Sequence, residues 1–249
     1  MMLAVDDPLA VAAVSAIHSG DLDALQRLLR AHPELAHARL GGDSACGGGA
    51  MSRTLLHVVT DWPGHFSNGA AVVGVLVEAG ADVNARFTGP HTETPLHWAA
   101  SSDDVEVLDA LLDAGADIEA RGGVIGGGTP LADATAFAQW QAAHRLVERG
   151  ARTTLFDAAA LGLIDHLDQH FARLPPPSAA DIDAALWASC HGGQRRAAEY
   201  LLERGADLNW IATWERFTPL DAATRSGAHE LVEWLKNRGA RSANADRLA

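Results

Sequence analysis

A short glycine motif recurs along the chain and constrains its fold more than any other feature. The tripeptide is Gly-Ala-Asp, with Gly-Ala-Arg in its place twice, and its occurrences begin at Gly80, Gly115, Gly150, Gly205 and Gly239. Their spacing is nearly constant except for one long interval, between Gly150 and Gly205. Self-similarity at a fixed period of about 20–50 residues is typical of proteins built from stacked copies of one small unit. The chain is therefore predicted to be a repeat protein.

One repeat can be followed from end to end within residues 94–121. Thr94 can cap a first helix, and Pro95 at the first turn of that helix gives up only an N–H group that would lack a helical partner. Apolar residues over 105–112 follow helical spacing and predict a second, amphipathic helix. Gly115 suits the left-handed residue that ends this helix. No such repeat buries its apolar face alone, so neighbouring repeats must supply the core.

The hexapeptide Thr-Pro-Leu-His-Trp-Ala over 94–99 matches the ankyrin signature Thr-Pro-Leu-His-x-Ala. Related signatures begin at Thr129, at Thr218 and, without the proline, at Thr54. From about residue 9 to 241, the chain resembles the ankyrin repeat proteins. The resemblance implies an all-α fold class, an ankyrin-repeat solenoid of stacked helix-turn-helix units joined by hairpin or finger loops. It also implies that the signature histidines bond neighbouring backbone.

We predict a single ankyrin-repeat domain over residues 1–249 with seven repeats. The first is an N-terminal cap, the fifth is degenerate and hidden in the long interval between Gly150 and Gly205, and the seventh is a C-terminal cap. The approximate bounds are 9–40, 52–86, 94–121, 129–152, 155–174, 181–210 and 218–241.

Charge and composition exclude several classes of function. Nineteen Lys and Arg residues face 32 Asp and Glu residues, a formal net charge of −13. Basic residues are scattered, so neither nucleic acid nor an anionic membrane is an expected partner. No apolar run approaches the ~20 residues of a membrane span. The two distant cysteines, Cys46 and Cys190, predict no disulfide and favour a reducing cytoplasmic compartment.

Three loops depart from the repeat. The link between the two helices of the second repeat is expanded to residues 61–68, five residues more than in the third repeat. The finger over 87–93 is slightly long. The finger over 122–128 holds five glycines in seven residues, but no Lys-Ser/Thr follows it as in a phosphate-binding loop. It is predicted to be flexible, or to bring its backbone close to another group.

Our leading hypothesis, which the resemblance implies, is a non-enzymatic scaffold that binds a protein or peptide on its concave face. Amphipathic tryptophan rings are good anchors for such binding. The candidate binding residues are Trp62, Phe66, His91, Trp98, Ser101, Ser102, Phe137, Trp187, His191, Trp210 and Trp214, with Ala136, Arg225 and Ser226 at further variable positions.

The alternative is a small-molecule-binding protein or an acid–base enzyme (a hydrolase, isomerase or lyase) with a pocket closed by the 61–68 insertion and the 122–128 finger. Burial against indole rings would raise a carboxyl pKa toward neutrality. No metal-binding spacing or cofactor motif is present, so neither a metal site nor a cofactor is predicted. The candidate acid–base residues are Asp61, His65, His91, Glu93, Asp133 and His191.

Overall fold

The computed structural model describes residues 1–42 and 50–243, which form two compact units, here called unit 1 (1–151) and unit 2 (from residue 152 onward). Cys46 lies outside the described residues. Cys190 is buried, and burial raises the pKa of its thiol to about 12. No helix in the described part of the chain is both long and apolar enough to span a membrane.

The described part of unit 1 contains four successive pairs of α-helices. Inner helices α1, α3, α5 and α7 pack side by side, and the outer helices α2, α4, α6 and α8 do the same. The pairs are α1 (Pro8–Ser19) with α2 (Leu22–Ala31), α3 (Leu55–Thr60) with α4 (Gly69–Glu78), α5 (Pro95–Ser101) with α6 (Val105–Asp113), and α7 (Pro130–Ala136) with α8 (Trp140–Glu148).

Unit 2 continues the pattern with three pairs in its described residues. Inner helix α11 packs between α9 and α13. The pairs are α9 (Leu155–Ala160) with α10 (Ile164–Phe171), α11 (Ala179–His191) with α12 (Arg195–Leu202), and α13 (Pro219–Arg225) with α14 (His229–Lys236). The all-α repeat architecture is confirmed, whereas the division into seven repeats and their bounds stay a prediction.

The repeated signatures explain where the helices begin and end. Inner helices α5, α7 and α13 each start at a proline that follows a capping threonine. The signature leucines Leu56, Leu96 and Leu131 are at most 1% exposed, and each such burial contributes about 2 kcal/mol. The five glycines of the recurring tripeptide have φ between 87° and 99°, a conformation that only glycine adopts freely.

Unit 1 also contains a small sheet that the sequence pattern does not predict. Its strands are β1 (Met2–Leu3), β2 (Arg39–Gly42) and β3 (Met51–Thr54), in the order β1-β2-β3. β1 is parallel to β2, and β2 is antiparallel to β3. A 3-10 helix (Pro33–His37) leads from α2 into β2. The sheet lies at the N-terminal end of α3, since β3 runs directly into this helix.

Candidate functional site

The signature histidines join each repeat to the next one, as the resemblance implies. In α5, His97 accepts the backbone N–H of Thr94 at Nδ1 (3.1 Å), and its Nε2 lies 3.2 Å from the carbonyl oxygen of Gly128, just before α7. His57 makes the same contacts with Thr54 and with the carbonyl of Glu93. Burial is the main cause that lowers the pKa of each histidine to about 4, so both are neutral and structural.

Asp133 holds the glycine-rich finger. Its side chain is fully buried, and Oδ1 accepts the backbone N–H of Ile125 at 3.1 Å. Gly123 lies so close that a Cβ there would come within 2.5 Å of Oδ2, which accounts for a glycine at this position. Oδ2 has no hydrogen-bond partner among the described residues, and burial raises the pKa of Asp133 to about 6.

A second buried carboxyl group lies near Asp133. Glu93 is 8% exposed, and burial is the main cause that raises its pKa. Its side chain accepts a hydrogen bond from Trp98, and the charges of Glu93 and His91 both influence Asp133. The ring of Trp98 packs against His57 and Phe87, with centroid distances of 5.0 and 5.4 Å. Of the predicted residues, His91, Glu93, Trp98 and Asp133 are therefore brought together at the N-terminal ends of α5 and α7.

The 61–68 insertion lies at the other end of the inner helices. His65 donates its backbone N–H to Asp104 (2.7 Å), and its Nε2 lies 3.0 Å from the carbonyl of Ser102, after α5. Asn68 donates to the carbonyl of Gly20, between α1 and α2. The insertion therefore packs against the turns between the two helices of the preceding repeat and of the following repeat.

The remaining insertion residues do not converge on the buried carboxyl groups. Phe66 stacks on His18 with centroids 4.4 Å apart, and Asp61 forms an ion pair with Arg53. Trp62 is 82% exposed. The predicted binding residues Ser101, Ser102 and Phe137 also lie at the C-terminal ends of α5 and α7.

These placements correct the pocket predicted in the alternative hypothesis. An inner helix of six or seven residues rises about 10 Å and separates the insertion from the glycine-rich finger. The two loops therefore do not close one pocket, and Asp61 and His65 do not meet Glu93 and Asp133. Across residues 1–42 and 50–243, no three or more His, Cys, Asp or Glu side chains are grouped so that they could hold a metal ion.

Unit 1 contains a cavity of about 550 Å³ next to its sheet, and Trp98 forms part of the wall. None of the other candidate residues lines it. The wall is formed by Ala4, Val5, Asp6, Leu40, Gly41, Gly42, Met51, Ser52, Arg53, Phe87 and Trp98.

Unit 2 brings four predicted residues together with one aromatic ring that the sequence did not single out. Trp187 on α11 contacts Trp214 (5.4 Å between centroids), His191 (5.3 Å) and Phe156 of α9 (6.2 Å). Trp214 also contacts Trp210 at 5.5 Å. Trp214 and the nearby Ile211 are 52% and 50% exposed. We call this set, together with Arg225, the aromatic surface: Phe156, Trp187, His191, Trp210, Ile211, Trp214 and Arg225.

Trp187 occupies the position of the signature histidine. It precedes Gly205 by the same number of positions as His97 precedes Gly115. α11 begins earlier than the other inner helices of unit 2 relative to the repeat, so this position is in the middle of a helix and cannot form a cap. Trp187 is 3% exposed, and its Nε1 has no hydrogen-bond partner in the described part of the chain.

Arg225 gives the aromatic surface its positive charge. Its Cζ lies 5.6 Å from the ring centre of Trp187 and 5.3 Å from that of Phe217. Nη1 donates to Glu215 at 2.6 Å, and Nη2 lies 3.4 Å from Nδ1 of His191. Phe156 and Glu215 were missed by sequence reasoning. Phe156 could have been found, since it follows Leu155 directly before the signature position of the degenerate fifth repeat.

Comparison with known proteins agrees with this architecture. The family model for ankyrin repeats (3 copies) matches residues 9–122, 67–157 and 155–246. The chain is also similar to "Ankyrin repeat and KH domain-containing protein mask-1" of Caenorhabditis elegans, with 29% identity over 122 residues. That match covers 44% of this chain and only 5% of the longer protein. With repeat matches along nearly its whole length and the signature contacts in place, the chain belongs to the ankyrin repeat family.

Proposed function

We propose that the chain is a protein-binding scaffold and that the aromatic surface of unit 2 is where it holds its partner. Ankyrin repeats are generally protein-interaction scaffolds. Within unit 2, the surface belongs to the inner helices and to the loop before α13, which is the side expected to be concave in this family. The partner is a protein or peptide, and the proposed compartment is the cytoplasm.

The observation that carries this proposal is the exposure of Trp214 and Ile211 next to the buried Trp187. About half of each of these two residues is open to solvent, and the rings of Trp187 and the half-buried Phe156 make T-shaped contacts with the indole of Trp214. Rigid aromatic side chains supply contact area at low entropic cost, and binding hot spots are enriched in Trp and Arg. Scattered exposed apolar residues need no explanation, but a contiguous group of them marks an interaction site.

The test is a selection of random peptides displayed on phage against the immobilised full chain. Each selected peptide is then measured by fluorescence anisotropy against the wild type and against Trp214→Ala. We expect Trp214→Ala to weaken binding at least tenfold, because truncation of a hot-spot tryptophan costs about 2 kcal/mol or more.

Leu174→Ala is the matched control. Leu174 is a large apolar residue of unit 2 that is 93% exposed and lies in a different loop. Its substitution should leave peptide affinity unchanged, and thermal unfolding should show both variants folded. Selection of no peptides, or only of peptides whose affinity is the same for Trp214→Ala, would contradict the proposal.

A second candidate function is acid–base chemistry at Glu93 and Asp133 in unit 1. It is favoured by one observation, the raised pKa of two neighbouring buried carboxyl groups. Because the finger covers Asp133, a substrate would reach this carboxyl group only after the finger opened. A hydrolase or isomerase activity found in a substrate screen, and lost in Asp133→Asn with the fold intact, would support this candidate over the scaffold.

A further inference from the structure

We propose that the aromatic surface selects a peptide segment that carries an acidic side chain, Asp or Glu, next to an apolar one, and that Trp187 and Arg225 hold its carboxylate. The inference rests on the proposed function and names the class of partner. It starts from a buried donor that the fold itself does not use.

That donor is the indole N–H of Trp187. In α3 and α5, the residue at this position reaches the carbonyl that precedes the next inner helix. The equivalent carbonyl in unit 2 is that of Phe217, and the buried Nε1 of Trp187 bonds neither it nor any other acceptor among the described residues. A buried N–H without an acceptor costs about 1–3 kcal/mol, so an incoming acceptor recovers free energy that the free protein lacks.

The position of Arg225 makes a carboxylate the best acceptor. A carboxylate has two oxygens. One can accept from Nε1 of Trp187, which is buried and is reached only when the side chains that cover it move, while the other accepts from the guanidinium beside the same ring. Arginine has five N–H donors, and the contacts with Glu215 and His191 use two of them. A neutral carbonyl oxygen can accept hydrogen bonds from both groups but carries no charge to pair with the guanidinium, so its bonds are weaker.

Charge argues against a basic peptide at this surface. The guanidinium of Arg225 already lies over Trp187 and Phe217, where a ligand cation would otherwise bind. Residues 1–151 contain 8 Lys and Arg and 19 Asp and Glu, a difference of −11. Residues 152–249 contain 11 Lys and Arg and 13 Asp and Glu, a difference of −2. The acidic character of the chain is thus concentrated in unit 1, and an acidic peptide meets little general repulsion at unit 2.

Glu215 is the internal competitor for the peptide carboxylate. It lies in the same loop as Trp214 and forms an ion pair with Arg225, and both side chains are more than a third exposed. Neutralising Glu215 releases the guanidinium and removes a like charge. Glu215→Gln should therefore tighten the binding of an acidic peptide severalfold, whereas it would weaken the binding of a basic one.

The test uses the peptides selected on the full chain and a copy of each in which the acidic residue is replaced by its amide. We expect the selected peptides to be enriched in Asp or Glu next to an apolar residue. Trp187→Phe keeps the aromatic ring but removes the N–H, and Arg225→Gln removes the charge. Each should weaken acidic peptides about tenfold, because a hydrogen bond to a charged group is worth about 1.5 kcal/mol or more. The amide copies should lose clearly less, since their neutral oxygen accepts more weakly.

Two matched variants control for substitution itself. Trp234→Phe and Arg238→Gln change the same residue types on the outer-helix side of unit 2, where Arg238 lies 3.9 Å from the ring of Trp234. Both should bind acidic peptides like the wild type. If Arg225→Gln fails to fold, Trp187→Phe and Glu215→Gln still test the inference.

The outcomes separate the two proposals. Peptides that need Trp214 but are rich in Lys or Arg, or that lose nothing when their acid becomes an amide, overturn the carboxylate site and leave the scaffold proposal standing. Peptides that bind Trp214→Ala normally, or the absence of any selected peptide, overturn both.

Discussion

His97 and Trp187 occupy the same place in the repeat and do opposite things with their ring N–H. His97 donates to the carbonyl of Gly128 in the next repeat, so the two repeats are joined by a buried hydrogen bond. Trp187 lies within α11, and its N–H is unsatisfied within the described residues. The comparison teaches that one position of an ankyrin repeat can either join neighbouring repeats or leave a buried donor unused by the fold, and that the difference is made by a single side chain.

The largest change in stability is expected when the imidazole of His97 is removed. His97→Ala leaves a cavity, an uncapped helix and a carbonyl without its donor, so we expect the free energy of unfolding to fall by about 4 kcal/mol. Urea unfolding followed by circular dichroism measures it. The matched variant His144→Ala, at an exposed position on α8, should change the free energy by less than about 0.5 kcal/mol. Equal effects of the two would refute a joining role for His97.

Acid should weaken unit 1 through the same histidines. The pKa of His57 and of His97 is lowered from 6.5 to about 4, so the native state binds fewer protons than the unfolded state between these values. The free energy of unfolding should therefore fall as the pH falls from about 6.5 to 4, by up to about 3 kcal/mol for each histidine. Urea midpoints across this range test the expectation, and His97→Ala should show a shallower slope. A flat wild-type profile would count against it.

Asp133 should show the opposite pH dependence, with a smaller effect. Its pKa is raised from 3.8 to about 6, so the native state binds more protons than the unfolded state in this window. Its contribution to stability falls as the pH rises to about 6 and is flat above that. The advantage of Asp133→Asn over the wild type should thus grow by about 2 kcal/mol between pH 4 and pH 7. Asp23→Asn, at an exposed position, should show no such growth.

The smallest change in stability is expected for Trp187→Phe. Removal of an unsatisfied buried donor stabilises the fold, whereas the smaller phenyl ring leaves a cavity. The free energy of unfolding should therefore change by less than about 1 kcal/mol, in contrast to the large loss in His97→Ala. Thermal and urea unfolding give the value. A decrease of more than about 2 kcal/mol in the free energy of unfolding would instead mean that the indole N–H has an internal partner, because the loss of a satisfied buried hydrogen bond adds to the cost of the cavity. The comparison between the two positions would then no longer hold.

The sequence carried enough information to predict the helix pairs. The recurring glycine needs a left-handed conformation after five of the outer helices, and the threonine and proline of the signature begin α5, α7 and α13, so spacing alone places these helix ends. The separation of Asp61 and His65 from Glu93 and Asp133 could also have been predicted. Helix length multiplied by the rise per residue puts the two groups at opposite ends of the inner helices.

Other features depend on contacts that spacing does not encode. The strands of the small sheet are only two and four residues long, too short for a visible alternation of apolar and polar residues. The position of the glycine-rich finger depends on the close contact between Gly123 and the side chain of Asp133. The repeat register predicts that Trp187 replaces a histidine, but only the structure shows that its N–H has no acceptor among the described residues.

The histidine contacts also affect how readily neighbouring repeats separate from one another. In unit 1, His57 and His97 each fasten one repeat to the next, so separating neighbouring repeats must break a buried hydrogen bond. In unit 2, the same position of α11 holds Trp187, whose N–H makes no such contact within the described residues. Amide hydrogens of α11 and α13 should therefore exchange with solvent sooner than those of α3 and α5, and a bound peptide should slow that exchange by closing the contact that Trp187 leaves open.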